Sequence, residues 1–331
     1  IRVRTSTFGE AQRWKVKAGG SARKTVSGAN TRESWPRHPK ERCDFLHPPR
    51  AFPPDVRDWR ERMVERIRAE PALFPRVRRD SSNEIVRQQL DEAIAWIREV
   101  ARILELLHAT PTLGNKSDPV DELVYIVLSR KTREDAYQAG YEELKRSCRR
   151  WEDLLDRPLA DVQRMVESGG LGEKKARSLV GALSALKARF GSCTLSPARR
   201  WSDDELEAFL CSLPEISRKS AYCIMMYAMG RSVFPVDTHV GRVLQRLGIY
   251  RDLGLELDGL DHKELQSTLA DLIPPNLRHS LHVNLVVHGR EVCKAIGPDC
   301  DQCEIRKFCA GYRTAQAERI QASGSPRFVD L

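Results

Sequence analysis

The chain has 331 residues, 41% of them hydrophobic, with 55 Lys or Arg against 46 Asp or Glu and a net charge of +9. That length allows one large domain or two modest ones, and no apolar run reaches the roughly 18 residues a membrane span needs, so the sequence predicts a soluble, intracellular protein without a secretory signal. Its nine cysteines do not form a disulfide framework: Cys43, Cys148, Cys193, Cys211 and Cys223 are scattered and read as core or surface thiols, while four others crowd near the C-terminus.

Residues 1–50 hold 12 Lys or Arg against 4 Asp or Glu, so nearly all the net charge sits there. Gly, Ser and Pro are frequent and no helical or strand period appears, which predicts a mobile basic arm. It is either a plain solvated tail or a nonspecific phosphate-binding segment. Residues 51–84 form an N-terminal extension, with a short helix predicted over 55–69 and stopped before Pro71. The next helix starts near residue 82, marked by Ser81 and Glu84 at capping-box spacing. In it Val86, Leu90, Ala93, Ile97, Val100, Leu104 and Leu107 recur at helical intervals as one apolar stripe, ending before Pro111. From 119 to 313 short helices alternate with Gly, Pro or Asp breaks: 121–130, 133–148, 150–155, 159–167, 172–189, 203–212, 218–229, 238–247, 261–272 and 276–288. Strand-like alternation is scarce, and the fold class is all-α.

Cys293, Cys300, Cys303 and Cys309 follow the spacing C-x6-C-x2-C-x5-C, four thiolates within 17 residues. So compact a loop can wrap one metal centre, and spacing alone leaves tetrahedral zinc and an iron–sulfur cluster both open. Immediately before it stands His288-Gly289-Arg290, within HVNLVVHGREVC. Together these resemble the C-terminal cluster loop of endonuclease III and the adenine glycosylases of the helix-hairpin-helix (HhH-GPD) superfamily. The resemblance implies a 4Fe-4S cluster on the four cysteines, structural in role, holding a basic loop against DNA. Arg290, Lys294, Arg306 and Lys307 flank the cysteines as candidate phosphate contacts.

Upstream, residues 213–248 read LPEISRKSAYCIMMYAMGRSVFPVDTHVGRVLQRLG, similar to the hairpin segment and following loop of the same superfamily. In its bifunctional members a lysine opens the helix after the hairpin and an aspartate follows 18 residues later; Lys219 and Asp237 hold those places here. Breaking an N-glycosidic bond builds positive charge on the sugar, which a carboxylate stabilises, while an amine can attack C1′. A helix N-terminus and burial are both expected to favour the uncharged lysine such attack requires. Asp237 also stands where an N-cap of the helix 238–247 is expected.

Leu128-Ser129-Arg130-Lys131-Thr132-Arg133-Glu134 resembles the family's LSxQxTD-like segment, with Lys131 in place of the glutamine that enters the space left by a flipped base. GGLGEKKARSLV, residues 169–180, resembles the turn whose leucine wedges between bases, which implies that role for Leu171. Where the family commonly has LPGVG, this chain has Leu213-Pro214-Glu215-Ile216-Ser217, without either glycine; Glu215 repels phosphate and Ser217 can donate to it. With these, Arg218, His239 and Arg290 complete the expected DNA contacts.

The resemblance implies two all-α lobes, a helical barrel of 121–231 containing the hairpin and a cluster lobe of 85–120 plus 232–312, followed by a tail of 313–331. The implied activity is that of a base-excision DNA glycosylase with AP lyase action on a damaged or modified pyrimidine, working as a monomer on duplex DNA with the base extruded. FPVDTHVGR also resembles the plant 5-methylcytosine glycosylases. A DNA-binding or scaffolding protein of the same fold with weak or no catalysis is the alternative, motivated by the altered hairpin, and a zinc-containing nucleic-acid binder is a third reading.

Overall fold

The structure, a computed structural model, describes residues 54–167, 170–255, 257 and 260–322. The basic arm expected over residues 1–50 lies outside them. Thirteen α-helices and no strand are found among the described residues: α1 (Pro54–Ala69), α2 (Asn83–His108), α3 (Pro119–Ser129), α4 (Glu134–Ser147), α5 (Glu152–Leu155), α6 (Leu159–Val166), α7 (Gly172–Phe190), α8 (Asp203–Ser212), α9 (Arg218–Met229), α10 (Thr238–Leu247), α11 (His262–Leu269), α12 (Arg278–Glu291) and α13 (Ala310–Ala322). The fold is all-α.

Local chemistry sets most boundaries. Asp118 caps α3 by accepting from the backbone N–H groups of Val120 and Asp121, and Pro119 takes the first helical position, where a missing N–H costs nothing. Ser202 and Glu205 form a reciprocal capping box on α8. At α2 the cap is Ser82, accepting from Ile85 N, not Ser81; Glu84 therefore falls one residue short of the box the sequence spacing offered. The α2 stripe buries Val86, Leu90, Ile94, Ile97, Val100 and Leu104, while Leu107, expected on it, stays 46% exposed. The helix ends two residues later in a left-handed cap at Ala109, and its last turn has left the packed face.

Two apolar cores result. One joins Val56 to Leu104 on α1 and α2 with Phe234 to Ile305 on α10–α12 and their connections. The other is built almost wholly from one continuous stretch, Val120 to Val233 on α3–α9. The extension before α2 is thus part of the first core: Val56, Trp59, Met63 and Ile67 are buried, and Trp59 Nε1 donates to Asp271 O at 2.8 Å. Residues 310–322, which take in the end of the expected cluster lobe and the start of the expected tail, form α13, which packs on α10.

Candidate active site

Helix α9 begins at a tight turn in which Glu215 holds a left-handed φ of +62°. Ser217 is its N-cap, accepting from Ser220 N at 3.3 Å and lying 3.2 Å from Ser220 Oγ. Lys219 follows as the second helical residue. The extended stretch before α10 is held from two sides. Gln266 accepts from Val236 N at 2.7 Å and donates to Phe234 O at 3.2 Å, and His282 Nδ1 meets Pro235 O at 2.8 Å. Burial pushes His282 down to about 4, so at neutral pH the ring is uncharged and donates Nδ1–H to that carbonyl. The next residue, Asp237, caps α10, one oxygen accepting from His239 N at 2.9 Å and Val240 N at 2.8 Å. The cap role and the cleft role therefore belong to the same carboxylate, which the cap holds in one orientation.

Lys219 and Asp237 line one cleft of about 940 Å³, with walls from α3, the loop after it and α9 on one side and from α10 and α12 on the other. Burial works against the Lys219 ammonium, but the Cys223 sulfur and the Asp237 and Glu122 carboxylates outweigh it, and its proton affinity is raised. The expectation of an uncharged lysine is thereby reversed, because these neighbours outweigh burial. Asp237 is held below the ordinary carboxylate range: burial raises it, and Lys219, His282 and the Val240 N–H more than compensate.

The other sequence candidates separate into groups. Lys131, at a left-handed φ of +50°, is exposed and lines the cleft, as do Ser217, Arg218, His239 and Arg290. Leu171 stands apart from the lining as the left-handed N-cap of α7, with φ +55° and 46% exposure. The segment around Lys131 is braced: Arg130 Nη1 donates to Glu215 O at 2.8 Å and the buried Lys175 to the Thr132 hydroxyl. Two of the expected DNA contacts already have carboxylate partners, Arg218 with Glu207 at 2.6 Å and Arg290 with Glu134 at 2.7 Å. His239 lies against Gly289, where a Cβ would come within 2.8 Å of His239 Cβ; the glycine of the His288-Gly289-Arg290 run is needed for α10 and α12 to approach.

The four C-terminal cysteines are partly buried, and three of them, Cys293, Cys303 and Cys309, pack against the first core. Arg246 links two of them, Nη1 donating to Cys293 Sγ at 3.3 Å while its carbonyl lies 3.1 Å from Cys309 Sγ; Tyr312 N donates to Cys309 Sγ at 3.4 Å. Burial, with the neighbouring sulfurs adding, pushes the Cys303 thiol up to about 11 and raises Cys309. These two thiols stay protonated unless a cation binds them. Among the described residues no three Cys, His, Asp or Glu side chains converge on a single-ion site. A four-iron cluster, taking one thiolate per iron, does not need them to, and the donor set with its N–H···S bonds suits that group.

Four further residues have places at this site that the motifs did not indicate. Glu122, the lone acid facing inward in an apolar run, is fully buried beneath the cleft wall. Cys223 follows Lys219 by one helical turn and lines the cleft, as do His282 and Gln266. Two signals were available in the sequence, an acid embedded in PVDELVYIVLS and the four-residue spacing of Cys223 from Lys219; His282 and Gln266 act through partners distant in sequence.

A helical protein with a cleft-lining lysine and capping aspartate, beside a hairpin and a four-cysteine loop, is of the helix-hairpin-helix glycosylase class. Residues 124–275 match the model of the HhH-GPD superfamily base excision DNA repair protein, and the chain belongs to that family. Endonuclease III of Bacillus subtilis is 31% identical over 193 residues, which cover 58% of this chain and 81% of the relative. Endonuclease III of Thermotoga maritima is 27% identical over 217 residues, covering 66% of this chain and 93% of the relative. A solved structure of a non-covalent endonuclease III–DNA complex shares the fold, with a TM-score of 0.57 at 24% identity, covering 67% of this chain and 97% of that one.

Proposed function

We propose that this endonuclease III-like chain is a base-excision DNA glycosylase with AP lyase activity that removes a damaged or modified pyrimidine from duplex DNA. The observation that carries the reading is the presence of Lys219 and Asp237 in the lining of one cleft, the lysine at the start of α9 and the aspartate fixed by its capping bonds. A base reaches such a floor only when its nucleotide is turned out of the duplex. Lys219 Nζ sheds its proton and attacks C1′. The C1′–N bond breaks, its electron pair leaves with the base, and the base takes up a proton. Asp237 stabilises the positive charge that builds on the sugar. The bound amine then gives up a further proton and pushes open the C1′–O4′ bond, O4′ taking up a proton; the protonated imine so formed acidifies the C2′ hydrogen, whose loss expels the 3′ phosphate and nicks the strand.

Lys131, Leu171, Ser217, Arg218, His239 and Arg290 are the proposed DNA contacts; Arg218 and Arg290 would exchange carboxylate partners for phosphate. Cys293, Cys300, Cys303 and Cys309 would hold a 4Fe-4S cluster, which when bound crosslinks the loop beside α10. Iron and sulfide near four each per chain, with broad visible absorption, support this; stoichiometric zinc overturns it.

Borohydride should trap the protein on lesion-containing duplex, and Lys219→Gln should abolish both trapping and base release while binding persists. Trapping that survives this change moves the nucleophile elsewhere. The noncatalytic alternative leaves the lysine–aspartate pair without a task, and a wild type that neither traps nor releases base would restore it.

A further inference from the structure

Helices α3 and α9 pack along their length, and the face of α9 turned toward the cleft carries Lys219, Cys223 and Tyr227, one helical turn apart and all lining the cleft. Opposite this stripe α3 carries Glu122, wholly buried. Both carboxylate oxygens are held, Oε1 by Asn115 Nδ2 at 2.6 Å and Oε2 by Lys116 N at 2.7 Å. Asn115 turns its amide nitrogen to the carboxylate at the expense of its own Oδ1, which is buried without a partner. Unpaired buried acceptors are costly, and so is a buried acid. An apolar side chain on α3 would avoid both costs. The charge of Glu122 acts on all three residues of the α9 stripe, and reciprocally Lys219 acts on Glu122.

We propose that Glu122 is a positioning residue for Lys219, a second buried carboxylate behind the lysine that, with Asp237 in front of it, sets when the amine gives up its proton. This rests on Lys219 being the nucleophile. Asp237 and His282 face Lys219 from α10 and α12, Cys223 from its own helix, and Glu122 from α3; Lys116 and Asn115 face Glu122 from the preceding loop. Of these, Glu122 is the acid that the reaction does not itself require, so its charge can be removed without touching the chemistry at C1′. Burial pushes Glu122 up to about 7, which places its own ionisation within the working pH range.

The test is the pH dependence of single-turnover base release and of nicking at a preformed abasic site, both of which need the neutral lysine. In Glu122→Gln, which keeps the volume, the acid limb of both profiles should move to lower pH by about one unit. Asn115→Leu, which removes one of the two N–H groups favouring the ionised acid, should move both limbs the same way by less. Unmoved limbs with lowered plateaus in both variants make Glu122 a purely structural residue and overturn the proposal, as does a limb displaced for one reaction alone. Failure of the nucleophile reading is seen separately, as trapping that survives Lys219→Gln.

Discussion

A lysine that keeps its proton cannot attack carbon, so the raised proton affinity of Lys219 makes charge balance around it the central fact at the scale of residues. Asp237 has two tasks that one substitution separates. Asparagine caps helices about as well as aspartate, so Asp237→Asn should leave the melting temperature nearly unchanged. Base release should fall about a hundredfold to a thousandfold, the range for losing a charge that stabilises a transition state. Nicking of a preformed abasic site should fall less, since no base-departure cation forms there; equal losses in the two assays would contradict this division. Lys219, Asp237 and the four cysteines were legible because their meaning lies in spacing along the chain. Glu122, His282 and Gln266 were not, because each acts on a partner from another element: Glu122 on α9, His282 and Gln266 on the strand-like stretch before Asp237. The charge state of Lys219 was misjudged for the same reason. Helix position and burial can be anticipated locally, whereas the opposing carboxylates arrive through the fold.

Among elements, the contact between α10 and α12 governs both the cleft and the cysteine loop. Arg242 bonds Cys293 O at 3.0 Å and Gly289 O at 2.7 Å, so the two helices and the loop share one set of bonds. Gly289→Ala places a Cβ 2.8 Å from His239 Cβ, too close to absorb without separating the helices. The expected loss is about 1–3 kcal/mol of stability, seen as a lowered melting temperature, with base release reduced further because His239 and Asp237 start the same helix. A melting temperature equal to wild type would show that the helices can part freely. The Gly, Pro and Asp breaks located these helices within a few residues because such residues stand at or near helix ends. Their caps depend on single side chains, which is why Ser82 and not Ser81 begins α2. That α1 belongs to the first core was not legible, since its partners, Asp271 among them, lie some 200 residues away in sequence.

On the scale of the whole molecule, the chain enters the first core through α1 and α2, leaves it after Leu104, and returns only at Phe234. Between those points the chain builds nearly all of the second core, to which Ala270 later adds, while Leu113 packs on the first. During synthesis this order has a consequence. The apolar faces of α1 and α2 emerge early and have nothing to close against until α10–α12 follow, whereas α3–α9 form a contiguous unit that can close as soon as it is complete. Contacts so distant in sequence form slowly, and exposed apolar stripes invite aggregation. A chain ended at residue 233 should therefore hold its α3–α9 amides against hydrogen exchange while those of α1 and α2 exchange freely and the product aggregates through them. Protection of α2 equal to that in the full chain would show that it needs no late partner. The growing polypeptide is thus required to carry an unfinished, adhesive N-terminal segment through the making of more than a hundred residues, a natural point of engagement for whatever guards nascent chains.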